Sequence, residues 1–256
     1  MIILYYGTNL ESYRLQASDG ELGKVQELYF DDNKWVVRYL GVDTRKWLPG
    51  RTVLLSPSSF KKVDRDNGHV EVTSDKETVR NSPSLEENSS MTPDYELALT
   101  RYYGWTPYWS GGFLWGTQDN PFVETPDAPV ETEPVPRMEE TADEVKHQLR
   151  AVTDLTEGFT IHANDGKIGS INDVLIDGDN WKIRYLVAES AQEFPENYYL
   201  FSPDWVESID WTEGNVYVDI RREEVRQGPG LKEKQEVTRA QENEIYSAFG
   251  KSEYWF

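Results

Sequence analysis

Three histidines are the residues of this chain best suited to acid–base or metal chemistry. They are His69, His147 and His162, and no H-x-x-H or H-E-x-x-H pair brings two of them onto one metal ion. The chain has no cysteine, which excludes thiolate nucleophiles and cysteine-ligated metal sites. We therefore interpret the histidines as structural or solvated. We expect no catalytic residue, no metal and no cofactor, and hence a protein that is not an enzyme.

Two short motifs resemble parts of ligand-binding loops without completing them. Gly250-Lys251-Ser252 matches the end of a phosphate-binding loop, but Ile245 stands where the motif requires its first glycine. Asp64-x-Asp66-Asn67-Gly68 is similar to a calcium loop, but its twelfth position is Asp75 instead of glutamate. We predict the end of a helix for the first motif and a hairpin turn for the second.

An aromatic run and two arginines are the candidates for binding a partner. Residues 101–115 read RYYGWTPYWSGGFLW, and within them Trp105, Phe113 and Trp115 are the binding candidates. The alternative is that these three side chains fill a groove between two domains. Arg38 and Arg184 are further candidates, because a guanidinium pairs with a carboxylate through two hydrogen bonds.

For these arginines, the alternative to partner binding is an ion pair within the chain. The expected partners are the C-terminal helix of each domain, or Asp64 and Asp210.

An internal repeat determines which elements carry these residues. ASDGELGKVQELYFDDNKWVVRYL, from Ala17, aligns without a gap with ANDGKIGSINDVLIDGDNWKIRYL, from Ala163, so the offset is 163 − 17 = 146 residues. The same offset pairs Glu96, Gly104, Tyr108 and Trp109 with Glu242, Gly250, Tyr254 and Trp255. The repeat predicts a duplicated domain of about 95 residues, a common domain size.

Each copy has the pattern of short strands separated by turns. Residues 25–30, 35–42, 52–55 and 69–73 are rich in β-branched and aromatic residues, and Asp19-Gly20 is a hairpin signal. Alternation along WVVRYL predicts that Trp35, Val37 and Tyr39 share one buried face, as do Trp181, Ile183 and Tyr185 in the second copy.

A helix is predicted to follow each set of strands, at residues 95–103 and 242–249. Gly104 and Gly250 would end these helices. Tyr108 and Trp109, like Tyr254 and Trp255, are expected to pack on the domain.

The composition changes between the two copies. Residues 116–150 contain an acidic, proline-rich stretch typical of an extended linker, followed by apolar residues at helical spacing. The predicted linker prolines are Pro121, Pro126, Pro129, Pro134 and Pro136, and the predicted helix carries Met138, Ala142, Val145, Leu149 and Val152.

The repeated motifs resemble those of the PRC-barrel family. The resemblance rests on A-x-DG-x-[LI]-G, the W-x-x-RYL strand, the L-x-SP segment and the V-R pair that follows, in the same order in both copies. It implies a mainly β fold of two small antiparallel barrels with about six strands each, every barrel followed by a short helix. The expected domains are 1–115, a linker at 116–150, and 151–256.

Composition and family resemblance together favour a binding protein. The chain has 26 basic and 46 acidic residues and a net charge of −20, so we expect no direct nucleic-acid contact. No apolar stretch is long enough to span a membrane, and we expect a cytoplasmic protein. The family is named for the photosynthetic reaction centre H subunit, and the resemblance implies a non-catalytic role on a larger assembly.

Our leading hypothesis is therefore an adaptor that binds a protein partner. The alternatives are an accessory factor for ribosome or RNA processing and a binder of a small apolar or quinone-like ligand.

Overall fold

The computed structural model describes residues 3–49, 51–84, 91–122, 148–191 and 197–255. Within these ranges the fold is mainly β. The strands are β1 Leu4–Tyr6, β2 Arg14–Ala17, β3 Gly20–Asp31, β4 Val36–Asp43, β5 Val53–Leu55, β6 Phe60–Asp64, β7 His69–Val72, β8 Leu149–Ala151, β9 Thr160–Ala163, β10 Gly166–Asp177, β11 Ile183–Ser190, β12 Tyr198–Phe201, β13 Val206–Asp210 and β14 Asn215–Val218. The α-helices are α1 Gly7–Leu10, α2 Lys76–Arg80, α3 Pro93–Tyr103, α4 Val152–Thr156, α5 Arg222–Gln227 and α6 Arg239–Ala248.

The strands form two seven-stranded sheets of the same design. The first has the order β5-β4-β3-β2-β7-β6, with β8 also paired to β3, and the second has the order β12-β11-β10-β9-β14-β13, with β1 also paired to β10. Within the described residues, no strand pairing closes either sheet into a barrel. The mainly β prediction is confirmed.

The prediction of purely antiparallel sheets is wrong at one pair in each sheet. β2 and β7 are parallel, as are β9 and β14. The L-x-SP segment forms a 3₁₀ turn over Pro57–Ser59 between β5 and β6, and these two strands do not pair with each other. After this turn β6 pairs with β7 instead of β5, and β7 lies beside β2 in the parallel direction.

The hairpin at Asp19-Gly20 is confirmed, since Ala17 pairs with Gly20 across a two-residue loop. Asp64 to Gly68 also forms a hairpin turn, in which the Asp64 carboxyl accepts hydrogen bonds from the backbone and side chain of Asn67.

The predicted burial of Trp35, Val37 and Tyr39 is confirmed, but the regular alternation predicted between them is interrupted. Trp35 precedes β4 and has a left-handed backbone, with φ of 58°, and Trp181 repeats this with φ of 63°. A bulky residue adopts this conformation only where its surroundings hold it, and both indoles are buried. Between the Tyr29–Tyr39 and Phe30–Val37 pairs the register shifts at Arg38, which is the extra residue of a β-bulge.

The short strand that precedes each copy in the sequence pairs with the sheet of the other copy. β1 pairs with β10, and Gly178 donates to the carbonyl of Ile3 at 2.8 Å. Correspondingly, β8 pairs with β3, and Asp32 donates to the carbonyl of Gln148 at 3.0 Å. Each sheet therefore takes its seventh strand from the other half of the sequence.

The chain divides into two compact units. The first-copy unit contains the described residues of Asn9–Arg150 and Asp179–Trp181, and the second-copy unit contains those of Met1–Thr8, Ala151–Gly178 and Lys182–Phe256. The domain limits expected from the repeated sequence, 1–115, 116–150 and 151–256, remain a prediction.

The two predicted C-terminal helices are confirmed. α3 begins at the N-cap Thr92, whose hydroxyl accepts from the backbone of Tyr95, and ends at Gly104 with φ of 70°. α6 begins at the N-cap Thr238 and is followed by Gly250, with φ of 61°. Among the described residues, no helix combines the length and apolar character needed to cross a bilayer.

Most of the predicted linker lies outside the described residues. This holds for Pro126, Pro129, Pro134 and Pro136, and for Met138, Ala142 and Val145 of the predicted helix. At the end of that helix the prediction is wrong, because Leu149 lies in the strand β8. The strand β8 pairs with β3, and apolar residues at helical spacing give no indication of such a distant strand partner.

Replacing Thr8 tests the attachment of β1 to the second-copy unit. The Thr8 hydroxyl donates to the buried Asp173 carboxyl at 2.5 Å. We predict that Thr8→Val lowers the free energy of opening of β10 by about 1–3 kcal/mol, because a hydrogen bond to a buried charged group is lost. Hydrogen exchange of the β10 amides measures this. Thr8→Ser should keep wild-type protection, and unchanged exchange in Thr8→Val would contradict the prediction.

Candidate functional site

Arg38 and Arg184 each form an ion pair across the sheet at equivalent bulges. Arg38 Nε lies 2.6 Å from Asp31 Oδ2, and Arg184 Nη2 lies 2.6 Å from Asp177 Oδ2. The expectation of an ion pair within the chain is confirmed, but the expected partners, Asp64, Asp210 and the helices, are wrong. The repeat shows that the two arginines are equivalent, but the register that places them beside these aspartates depends on the bulge.

A buried glutamate on each C-terminal helix accepts two tyrosine hydroxyls. Glu242 accepts from Tyr185 of β11 and from Tyr254 after α6, both at 2.8 Å. In the first copy Glu96 accepts from Tyr39 of β4 at 3.4 Å and from Tyr108. Each glutamate thus connects the sheet, the helix and the segment after the helix.

The arginine and glutamate clusters meet at the second tyrosine of each set. The Arg38 guanidinium lies 4.0 Å from the centre of the Tyr108 ring, and Arg184 lies 4.1 Å from that of Tyr254. Cations at this distance are attracted by the negative face of the ring. The prediction that Tyr108 packs on its own domain is confirmed, since its ring is 5% exposed.

The aromatic run continues into a loop that Arg38 fixes in place. Arg38 Nη1 donates to the carbonyl of Leu114 at 2.7 Å, and its guanidinium lies 4.7 Å from the Trp115 ring. Trp115 is buried, and its indole donates to the carbonyl of Asn180 at 2.8 Å. Lys34 donates to the carbonyl of Phe113 at 2.5 Å. The loop is therefore held at three successive residues, through the carbonyls of Phe113 and Leu114 and the indole of Trp115.

Phe113 lies at the exposed end of this loop. Its backbone forms an isolated bridge with Gly116, and its side chain is 53% exposed. Gly116 has φ of 84°, and a Cβ there would lie 2.6 Å from the carbonyl of Pro107, so this turn requires glycine. The loop holds an apolar ring in solvent on a fixed backbone.

The five partner-binding candidates differ in exposure. Arg38 and Trp115 are buried at 0% and 3%, and the side chain of Arg184 is 11% exposed. Trp105 is half-buried and stacks on Tyr103 with ring centres 4.4 Å apart. Phe113 offers the largest exposed ring of the five. Partner binding by these residues remains a prediction.

Each described histidine belongs to a different strand and a different compact unit. His69 begins β7, and His162 in β9 bonds the Thr160 hydroxyl through Nε2 at 2.8 Å, whereas His147 lies outside the described residues. In the part of the chain that the structure describes, no cluster of three or more metal-binding side chains occurs.

Burial raises the pKa of the cluster tyrosines. In Tyr39, Tyr185 and Tyr254 desolvation is the main cause, and the adjacent glutamate adds to it because a second negative charge beside it is unfavourable. Burial likewise raises the pKa of Tyr6 to about 12. These phenols therefore serve as hydrogen-bond donors.

The raised pKa values predict loss of stability in alkali. A folded pKa above the unfolded value stabilises the protein below about pH 10, and this contribution falls as the pH rises past that value. We expect the free energy of unfolding to decline above about pH 10. Parallel titrations of phenolate absorbance and circular dichroism measure it. Full ionisation of the tyrosines before any change in circular dichroism would contradict the prediction.

Removing the charge of Arg38 tests the buried ion pair. We predict that Arg38→Met destabilises the first-copy unit by about 3–5 kcal/mol, because Asp31 is left buried without its partner. The double variant Arg38→Met with Asp31→Asn should be more stable than Arg38→Met alone, since no charge is left uncompensated. Denaturant unfolding measures the free energy of unfolding of both variants and of Asp31→Asn alone. If the destabilisation of the double variant equals the sum of the two single destabilisations, the Arg38–Asp31 pair does not stabilise the unit.

Comparison with known proteins bears on the first sheet. No curated protein matches this chain. The family model of the PRC-barrel domain matches residues 3–79, from the start of β1 to α2. The matched residues include β2 to β7 and the bulge with Arg38. The chain therefore carries a PRC-barrel domain at residues 3–79.

Proposed function

We propose that this chain is a non-catalytic adaptor that binds a protein partner through the loop carrying Phe113. The observation that carries the proposal is the exposure of the Phe113 ring on a backbone anchored by Lys34, Arg38 and Trp115. Aromatic side chains that enter a partner's pocket contribute much of the energy of protein interfaces.

The rigid backbone of the loop supports this role. Binding through a flexible loop loses conformational freedom, which weakens the complex, whereas a fixed loop loses little. The carbonyls of Phe113 and Leu114 are bonded to Lys34 and Arg38, and the Leu114 amide donates to Asp119 at 3.1 Å. These bonds hold the ring ready for a complementary pocket.

The charge of the chain narrows the choice of partner. The net charge of −20 favours association with a protein whose contact surface is basic around an apolar pocket. The PRC-barrel domain at 3–79 is compatible with a binding module. The second sheet has the same strand order, and we extend the proposal to a second PRC-type domain, with each sheet and its helix forming one barrel-like unit.

Site-specific crosslinking at the loop tests the proposal. A photoreactive phenylalanine analogue at position 113 should form a defined adduct with one protein in the native cell, because the ring enters the partner's surface. The same analogue at Tyr217, which is 38% exposed in the second-copy unit, serves as the matched control. Mass spectrometry of the adducts identifies the partner.

A binding measurement with the identified partner completes the test. Phe113→Ser should weaken binding by about tenfold or more, since loss of an interface anchor of this kind exceeds about 1.4 kcal/mol. Tyr217→Ser should bind as the wild type does. Equal adducts at positions 113 and 217, or wild-type affinity of Phe113→Ser, would refute the proposal.

A further inference from the structure

A basic hollow lies in the first-copy unit, away from the Phe113 loop in sequence. It has a volume of about 500 Å³ and lies among β2, β3, the end of β4 and the first residue of α2. Cavities of this size hold small organic ligands. Its basic side chains are Arg14, Lys24, Arg45, Lys46 and Lys76, and its acidic ones are Glu21 and Asp43.

Two of the five cations are neutralised locally. Arg14 pairs with Glu21 at 2.6 Å and Arg45 pairs with Asp43 at 2.7 Å, both in exposed positions. Lys24, Lys46 and Lys76 form no ion pair within the described residues. The hollow thus has an excess of three positive charges in a chain with a net charge of −20.

An indole forms one wall of the hollow and is held in place. Trp47 donates from its ring to the carbonyl of Leu22 at 2.5 Å. Lys76 Nζ lies 5.7 Å from the ring centre. Gly20 leaves room for this lysine, because a Cβ at Gly20 would lie 2.9 Å from Lys76 Nζ.

The second copy shows that the fold does not require these charges. At the offset of 146, Arg14, Lys24, Arg45, Lys46 and Trp47 are replaced by Thr160, Ser170, Ala191, Gln192 and Glu193. The second sheet nevertheless has the same strand order. Lys76 keeps its charge as Arg222, whereas Arg14, Lys24, Arg45 and Lys46 have no basic counterpart in the second copy. Like charges gathered around one hollow repel, so cations that the fold does not need point to a ligand of opposite charge.

We propose that this hollow is a binding site for a phosphate ester. Lysine ammonium groups bind phosphate as point charges, and Lys24, Lys46 and Lys76 supply three of them. The Trp47 ring offers an apolar wall for the organic part of the ester. Such a phosphate comes either from a small soluble molecule or from a lipid headgroup.

Calorimetric titration of the full chain with pyrophosphate and with ADP tests the site. Both should bind, and binding should weaken as salt is added, because the attraction is between charges. The variant Lys24→Ser with Lys46→Gln copies the second sequence copy, so it is expected to fold. It should bind pyrophosphate about tenfold more weakly or worse, since two charge-assisted hydrogen bonds are lost.

A matched control separates the site from the overall charge. Lys167→Ser with Lys232→Gln removes two exposed lysines from the second-copy unit and should bind pyrophosphate as the wild type does. Arg45→Ala, which copies Ala191, provides a second variant at the hollow. Equal weakening in the control, or wild-type binding in both hollow variants, would overturn the proposal.

Vesicles distinguish the two sources of phosphate. Co-sedimentation with vesicles of phosphatidylcholine and phosphatidylglycerol, lost in the hollow variants, would assign a lipid headgroup. Binding of ADP without vesicle binding would assign a soluble ester. Binding of neither pyrophosphate nor ADP, or binding of a glutamate-rich peptide in their place, would overturn the proposal.

Discussion

One buried glutamate in each unit connects the sheet, the C-terminal helix and the segment after that helix. Glu96 and Glu242 are 2% and 3% exposed, and each accepts hydroxyls from one tyrosine on the sheet and one beyond the helix. A buried carboxyl group without these donors would be strongly destabilising. The sheet tyrosine and the tail tyrosine therefore both stabilise the docked helix, which couples sheet, helix and tail to one another.

The bulged arginines connect this unit to a buried aspartate on the neighbouring strand. In both copies the arginine sits between a buried aspartate and the tail tyrosine. The copies differ in what covers that cluster. In the first, Arg38 also binds the loop through Leu114 and Trp115, whereas in the second Arg239 lies 4.0 Å from the Trp255 ring. The same cluster of arginine, aspartate and tyrosine thus contacts different neighbouring segments in the two copies.

The repeat predicted the parts of the fold that depend on local pattern. Helix ends at Gly104 and Gly250 and the equivalence of Glu96 with Glu242 follow from one ungapped offset. The pairing of β1 with the second sheet and of β8 with the first does not follow from this offset. Pairing between distant segments leaves no local signal, and β1 and β8 are equivalent only at an offset of 145. The bulge at Arg38 was missed because a strict two-residue alternation has no place for an extra residue.

The basic hollow was hidden for a different reason. Its cations are spread from Arg14 to Lys76, and the net charge of −20 conceals any local excess of positive charge. A signal was nevertheless present in the sequence comparison of the two copies, because Trp47 aligns with Glu193 at the offset of 146. Positions that the copies share, such as Asp31 and Asp177, are those on which the core depends. Positions at which they differ in charge are free of that constraint, so surface chemistry specific to one copy is concentrated there.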